Sequence, residues 1–217
     1  MNSLHPSLEA PTAASWGFAE DYAPSSDAVR ESRHAAISGG EQPISQGVAS
    51  ALTFLARAVN ARAVVEIGTA GGTSALAFFD GMARDGIITS IDADAGTQLV
   101  ARAALVGAGI ATNRFRLISG IPLDVLPKLR DGAYDIVFIN GDKLEYVEYV
   151  AGALRLLRHG GLVVVHDVLW HNLVADPADE SDETLIIREA LEAVTESESY
   201  TAALLPVGNG LLTAVKQ

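Results

Sequence analysis

The sequence predicts an α/β fold: a mostly parallel sheet with helices on both faces, closed by an antiparallel C-terminal strand. Three observations carry this. Five short apolar runs of β type recur along the chain, "AVVEIG", "IITSID", "FRLIS", "YDIVFIN" and "LVVVHD". They show little polar alternation, as strands buried on both faces do, and each is followed by a stretch of helical period. The chain then ends in "YTAALLPVGNGLLTAVKQ", two strand-like runs around Gly208-Asn209-Gly210, which is hairpin chemistry. Seven strands are expected in all.

Residues 1–43 are expected to form an N-terminal arm with a short helix, and 44–217 a single domain. The first 25 residues or so are polar and punctuated by proline, a loose arm carrying Trp16 and Phe18. Ser25 or Ser26 can cap a helix running to about Ser38, which "SGGEQP" breaks. "ISQGVASALTFLARAVN" reads as a second helix with Val48, Leu52, Leu55 and Val59 on one face. Between the strands, helical stretches are expected near 73–84, 95–107, 122–130 and 143–158, and a last one near 183–197.

The 217 residues, 49% of them hydrophobic, suffice for the core of one domain. No run reaches the roughly 18 uncharged apolar residues of a membrane span, and the N-terminus lacks the basic start and apolar centre of a signal peptide. Cysteine is absent, which excludes disulfides, thiolate metal sites and a cysteine nucleophile. A cytoplasmic location is the simplest account. With 27 acidic against 15 basic residues, the formal charge is −12. Such a surface repels phosphate backbones, so neither a nucleic-acid nor a membrane partner is expected, and a small-molecule substrate is. The densest charge run, "DPADESDE" at 176–183, reads as a solvated loop feeding a helix, with a lid or a partner contact as the alternative.

Ligands of such sheets bind beyond the carboxyl ends of the strands, which directs attention to "EIGTAGGTS", "IDAD", "ISGIP", "INGDK" and "VHDVLW". In "VVEIGTAGGTSAL", glycines at 68, 71 and 72 allow close backbone approach. The turn is not a dinucleotide fingerprint, because Ala70 and Thr73 stand at its second and third glycine positions, and no Gly-Lys-Ser/Thr of a P-loop follows. Glu66 places a carboxylate near the end of an apolar strand. Asp92 ends the next strand, where it can accept both hydroxyls of a ribose or cap the following helix. Together they favour a nucleoside carrying little negative charge. Asn140-Gly141 looks like a hairpin turn, yet Leu144, Val147, Val150, Leu154 and Leu157 follow at helical spacing. It therefore reads as a strand-to-helix loop on the functional edge.

Six segments in order, "VVEIGTAGGTSAL", "IITSIDAD", "RLISGIPLDVLPKL", "YDIVFINGDKLEYVEYV", "LRLLRHGGLVVVHDVLW" and "LLPVGNGLLTAVK", resemble the class I S-adenosylmethionine-dependent methyltransferases, specifically the catechol and caffeoyl-CoA type O-methyltransferases. The likeness runs from about Ile44 to the C-terminus. It implies the class I methyltransferase (Rossmann-like) fold, S-adenosylmethionine as cofactor, and methyl transfer to a hydroxyl of a small, aromatic molecule. By resemblance, Glu66, Gly68, Gly72 and Ser74 surround the methionine part of the cofactor, and Asp92 holds the ribose. Gly120, Ile121 and Pro122 lie beside the adenine, and Asn140 counts with both the cofactor and the metal positions. A homodimer is implied by the family and suggested by the apolar N-terminal helices.

Lys143 matches the family's general base. It heads the apolar stripe and so points inward, and it sits at a helix N-terminus, where the macrodipole disfavours positive charge. Both effects favour the neutral amine that a base needs to be; the alternative is a surface lysine lying along the first turn. Tyr146 and Tyr149 line a pocket or pack the core. The family's divalent cation is held by an Asp ending the fourth strand and an Asp-Asn pair ending the fifth. Here those positions read Asn140 and His166-Asp167, so a formal charge of −2 becomes −1. Mg²⁺ wants oxygen ligands and charge, so it is expected to bind weakly; this set suits a transition metal better, if any metal at all. His166 is otherwise a hydrogen-bonded strand-end histidine. Two rival readings are a cofactor-binding protein that has lost catalysis, and a nicotinamide-dependent oxidoreductase, against which the broken fingerprint counts.

Overall fold

The computed structural model describes residues 10–217; the first nine residues of the expected arm, with His5, lie outside them. Seven strands form one sheet in the order β3-β2-β1-β4-β5-β7-β6. They are β1 (Ala63–Ile67), β2 (Ile87–Asp92), β3 (Phe115–Ser119), β4 (Tyr134–Ile139), β5 (Leu157–His166), β6 (Tyr200–Leu205) and β7 (Leu211–Lys216). The first five run parallel, and β7 runs antiparallel to both β5 and β6. This is the class I methyltransferase architecture. Strand order reverses at β1, between β2 and β4, so the loops after β1 and β4 open a crevice at their carboxyl ends.

Alternation along each strand sends side chains to two cores. Val64, Ile88, Ile136, Phe138 and Val164 pack under α3 (Gln46–Ala58), α4 (Thr73–Gly81) and α5 (Ala95–Gly107). Val65, Ile67, Val137, Ile139, Val163 and Val165 face α7 (Tyr146–Leu156) and α8 (Asp182–Glu196). Because Ile139 pairs with Val165, the next positions, Asn140 and His166, emerge side by side on the first face. The register of apolar strands thus sets two polar groups together.

Several expectations are corrected. The loose arm is in part a helix, α1 (Ala13–Asp21), capped by the Thr12 side chain. It buries no residue, but Glu20 accepts from Ser45 Oγ at 2.8 Å and from the Gly47 amide at 3.0 Å, partners too distant in sequence to be read from local pattern. α2 (Asp27–Ser38) follows as expected, with Ser26 as its cap. The stretch 122–130 yields only α6 (Pro122–Val125) and a 3₁₀ turn, since Pro127 offers no amide for a helical bond. The stretch 143–158 opens with a 3₁₀ turn at Lys143–Glu145. It also ends early: Leu157 leaves the helix to pair with Tyr134 and begins β5.

Candidate active site

The loop after β1 is fixed by close backbone contact. Gly68 has φ +89°, and a Cβ there would lie 2.2 Å from the carbonyl oxygen of Asn140. Only glycine permits both the left-handed conformation and this approach of the β1 and β4 loops. Gly72, at φ +85°, stands just before α4. Beneath the loop lies Glu66, 0% exposed, its two carboxylate oxygens accepting from Ser74 and Ser90. Burial pushes its pKa from 4.5 to about 7, against the pull of the two serines. The resemblance puts Glu66 and Ser74 beside the methionine part of the cofactor; in the fold the Glu66 carboxylate accepts from both serines and does not line the crevice cavity. Ser74 itself borders a small recess with Glu41, Ile44 and Asn140.

Above the reversal point is a cavity of about 530 Å³, walled by Gly68, Asp92, Ile121, Pro122 and Asn140 among others. Asp92 does not swing freely: one carboxylate oxygen accepts from the amides of Thr69 at 2.8 Å and Ala70 at 3.3 Å, the other from Asp94 at 2.9 Å. It caps the neighbouring loop and still faces the cavity. Gly120 is outside the wall and donates to the Asp92 carbonyl at 2.9 Å. Sequence reasoning missed the wall residues Ala93, Thr97, Asp142 and Glu145, whereas Tyr149, expected to line a pocket or pack the core, does both. The i, i+4 spacing of Glu145 and Tyr149 was a usable signal, because the Tyr149 hydroxyl donates to Glu145. Three carboxylates and no lysine or arginine among the described residues wall this cavity. Its field suits an uncharged or cationic nucleoside and opposes a phosphorylated one.

Lys143 lies beyond the cavity wall, its side chain 13% exposed and 3.3 Å from a carboxylate oxygen of Asp167. Its ammonium position is 4.9 Å from the ring centre of Tyr146 and 5.5 Å from that of Trp170. Burial lowers its pKa below the ordinary lysine value, while Asp167 and then Asp142 pull it back up. Tyr146 is fully buried, with a hydroxyl that donates to the His166 carbonyl at 2.9 Å and a pKa raised by burial; it stays protonated. His166 Nδ1 bonds Asn140 Oδ1 at 2.8 Å. Burial drives the His166 pKa down to about 4, the Asp167 charge opposing and Lys143 assisting, so the ring is neutral at pH 7.

The three positions expected to hold a cation are therefore turned on their neighbours. Asn140 and His166 bond each other, and the Asp167 carboxylate is shared between Lys143 and the Asn209 amide. One carboxylate already neutralised by an ammonium offers Mg²⁺ neither the charge nor the hard oxygen set it needs. The residues present do not fit that ion. Among the described residues no cluster of three or more His, Asp or Glu side chains has metal-holding geometry.

Comparison with known proteins agrees with this architecture. The profile of the O-methyltransferase family matches residues 25–217. A Mycobacterium sp. (strain JLS) protein named "Putative O-methyltransferase" is 40% identical over 188 residues, 87% of this chain and 86% of its own. The O-methyltransferase TomG from Streptomyces achromogenes, solved with SAM, superposes with a TM-score of 0.83 at 27% identity, over 93% of this chain and 94% of that one. Cofactor-bound Rv0187 from MTB gives 0.83 at 29%, over 96% and 99%. The seven-stranded sheet, the crevice at its reversal point and these matches together place the chain in the O-methyltransferase family.

Proposed function

We propose that the chain transfers the methyl group of S-adenosylmethionine to a hydroxyl on a small aromatic molecule, with Lys143 taking the hydroxyl proton. The observation that carries this reading is the setting of Lys143, an almost buried amine between two aromatic rings, beside the crevice and in contact with Asp167. The carboxylate-walled cavity supports the cofactor, as do TomG and Rv0187, both solved with cofactor bound. In this reading Asp92 receives the ribose, Ile121 and Pro122 flank the base, and the Glu66–Ser74 pair fixes the start of α4. The half-buried Trp170 ring beside Lys143 supports an aromatic acceptor.

When bound, the cofactor supplies an activated methyl on a sulfonium; an O–C bond forms as the C–S bond breaks. The chain's work is to align the acceptor oxygen and to remove its proton. A neutral Lys143 amine receives that proton, and the ammonium so formed is stabilised by Asp167. Because burial holds the lysine below its ordinary pKa of 10.5, the neutral fraction, and with it the rate, rises with pH through that lowered value. No step is routed through Mg²⁺, which the residues present do not fit. Phe18 on α1, Tyr22 just after it and Phe54 on α3 are 71%, 75% and 70% exposed, a surface in keeping with a homodimer; light scattering tests it.

The experiment is turnover of labelled cofactor against a panel of catechols and phenols. For an acceptor that is methylated, Lys143→Ala should lower kcat by roughly 10²-fold or more, the usual scale of general-base catalysis, with cofactor affinity little changed. An intact kcat with a raised KM would mean that Lys143 only positions the acceptor.

A further inference from the structure

The Gly208-Asn209-Gly210 sequence explains a hairpin, but the hairpin does more than reverse the chain. It presses on the loop that follows β5. A Cβ on Gly210 would stand 2.5 Å from Leu169 Cγ and 2.7 Å from the Leu169 amide nitrogen, at a φ of +93°. Glycine alone allows this contact, across which Val168 donates to the Gly210 carbonyl at 3.2 Å and Leu169 to the Asn209 carbonyl at 2.8 Å. The Asn209 side chain completes the attachment. Its Oδ1 accepts from the His171 amide at 2.9 Å, and its Nδ2 donates to Asp167. A backbone N–H can only donate and a carboxylate can only accept, so this amide has one workable orientation. One residue thus ties positions 167, 169 and 171.

The loop it ties is strained. Asp167, Trp170, His171 and Asn172 have φ of 67°, 43°, 55° and 70°, the left-handed region that side chains other than glycine rarely adopt. Such a conformation persists only where its surroundings over-determine it, and such strain gathers at working sites. This loop carries two of the groups around Lys143: the Asp167 carboxylate at 3.3 Å and the Trp170 ring at 5.5 Å. The hairpin is a firm anchor, because the Gly208 amide donates to Glu20, which also holds Ser45 and the Gly47 amide.

We propose that Asn209 is a positioning residue for proton transfer: it holds the strained loop so that Asp167 and Trp170 stay against Lys143. The proposal rests on the reading of Lys143 as base. Without Asn209 the loop can relax toward ordinary backbone angles, and Asp167 then leaves the lysine whose ammonium it stabilises.

Two arms test it. The chain has two tryptophans, so a Trp16→Phe background leaves Trp170 as the reporter. In that background Asn209→Ala should move Trp170 emission to the red and raise its acrylamide quenching constant about twofold or more, as a locally released loop does. This arm needs no turnover, and unchanged emission and quenching would overturn the proposal whatever Lys143 does. In the second arm, Asn209→Ala and the isosteric Asn209→Asp, which keeps the acceptor for His171 but repels Asp167, should each lower kcat about tenfold with S-adenosylhomocysteine affinity within about twofold. In a cycle with Lys143→Met, the loss from Asn209→Ala should largely vanish. A purely structural hairpin would leave kcat per folded molecule intact or give effects that add, and either result overturns the proposal. A fluorescence change with additive kinetics would assign Asn209 to the loop alone. Should Asn209→Ala fail to fold, Asn209→Asp carries both arms.

Discussion

Glu66 offers a test of the site's foundation that requires no substrate. Its carboxylate is 0% exposed and bonded only to serine hydroxyls, so burial raises its pKa from 4.5 to about 7. That difference corresponds to about 3 kcal/mol. The sign follows from which state holds the proton. Below about pH 4.5 the group is protonated in folded and unfolded chains alike, and folding incurs no charge-burial penalty. Between 4.5 and 7 the unfolded chain releases its proton while the folded chain keeps it, so stability falls as pH rises; above about pH 7 the full penalty, about 3 kcal/mol, is present. Glu66→Gln removes the titration but keeps the shape. The Ser90 hydroxyl, already 2.6 Å from that of Thr69, can turn to accept from the new amide. Urea unfolding of both proteins at several pH values from about 5 to 8 isolates the effect, because the other titrations largely cancel in the difference. Wild type should lose about 2.5 kcal/mol more than the variant across that range, the rest of the penalty being already present at pH 5. A difference that stays constant within about 0.5 kcal/mol would show that Glu66 titrates as an exposed carboxylate and that the picture of a dry carboxylate under the loop is wrong.

Three further outcomes are expected. Asp92→Ala should weaken S-adenosylhomocysteine binding at least about tenfold by calorimetry, given roughly 1.5–3 kcal/mol for hydrogen bonds to a charged group; unchanged affinity would remove Asp92 from the ribose. Chelator-treated wild type should take up Mg²⁺ weakly in titration, and Asn140→Asp with His166→Asp should raise that affinity. Tight wild-type binding abolished by Asp167→Ala would contradict the poor fit of this donor set. Gly68→Ala should destabilise the fold by more than about 1 kcal/mol, since the residue is left-handed and its new Cβ would meet the Asn140 carbonyl at 2.2 Å; an unchanged denaturation midpoint would count against that contact.

What the sequence determined by itself is what local pattern controls. Buried parallel strands need unbroken Val/Ile runs and the helices between them need a 3.6-residue period, so strand order in the chain, the functional edge and the β1 turn were all legible. So was the position of Asp92, because a strand-end carboxylate is out of place in an apolar run. Lys143 was legible as an inward lysine through its place at the head of the stripe. Tertiary structure decided what each polar group faces. Glu66 bonds Ser74 and Ser90, which lie on a helix and on another strand, and these serines satisfy its carboxylate where water cannot reach. Asn140 and His166 meet only because β4 and β5 pair in one register. The helix α1 is held by Glu20 bonds to residues far along the chain, invisible to any window of sequence. Asn209 read as half of a turn until the fold set it across the loop carrying Asp167. Hydrogen-bond partners are chosen by proximity in space, and in a sheet with crossover connections that proximity is settled by strand order and register, which a run of side chains does not encode locally.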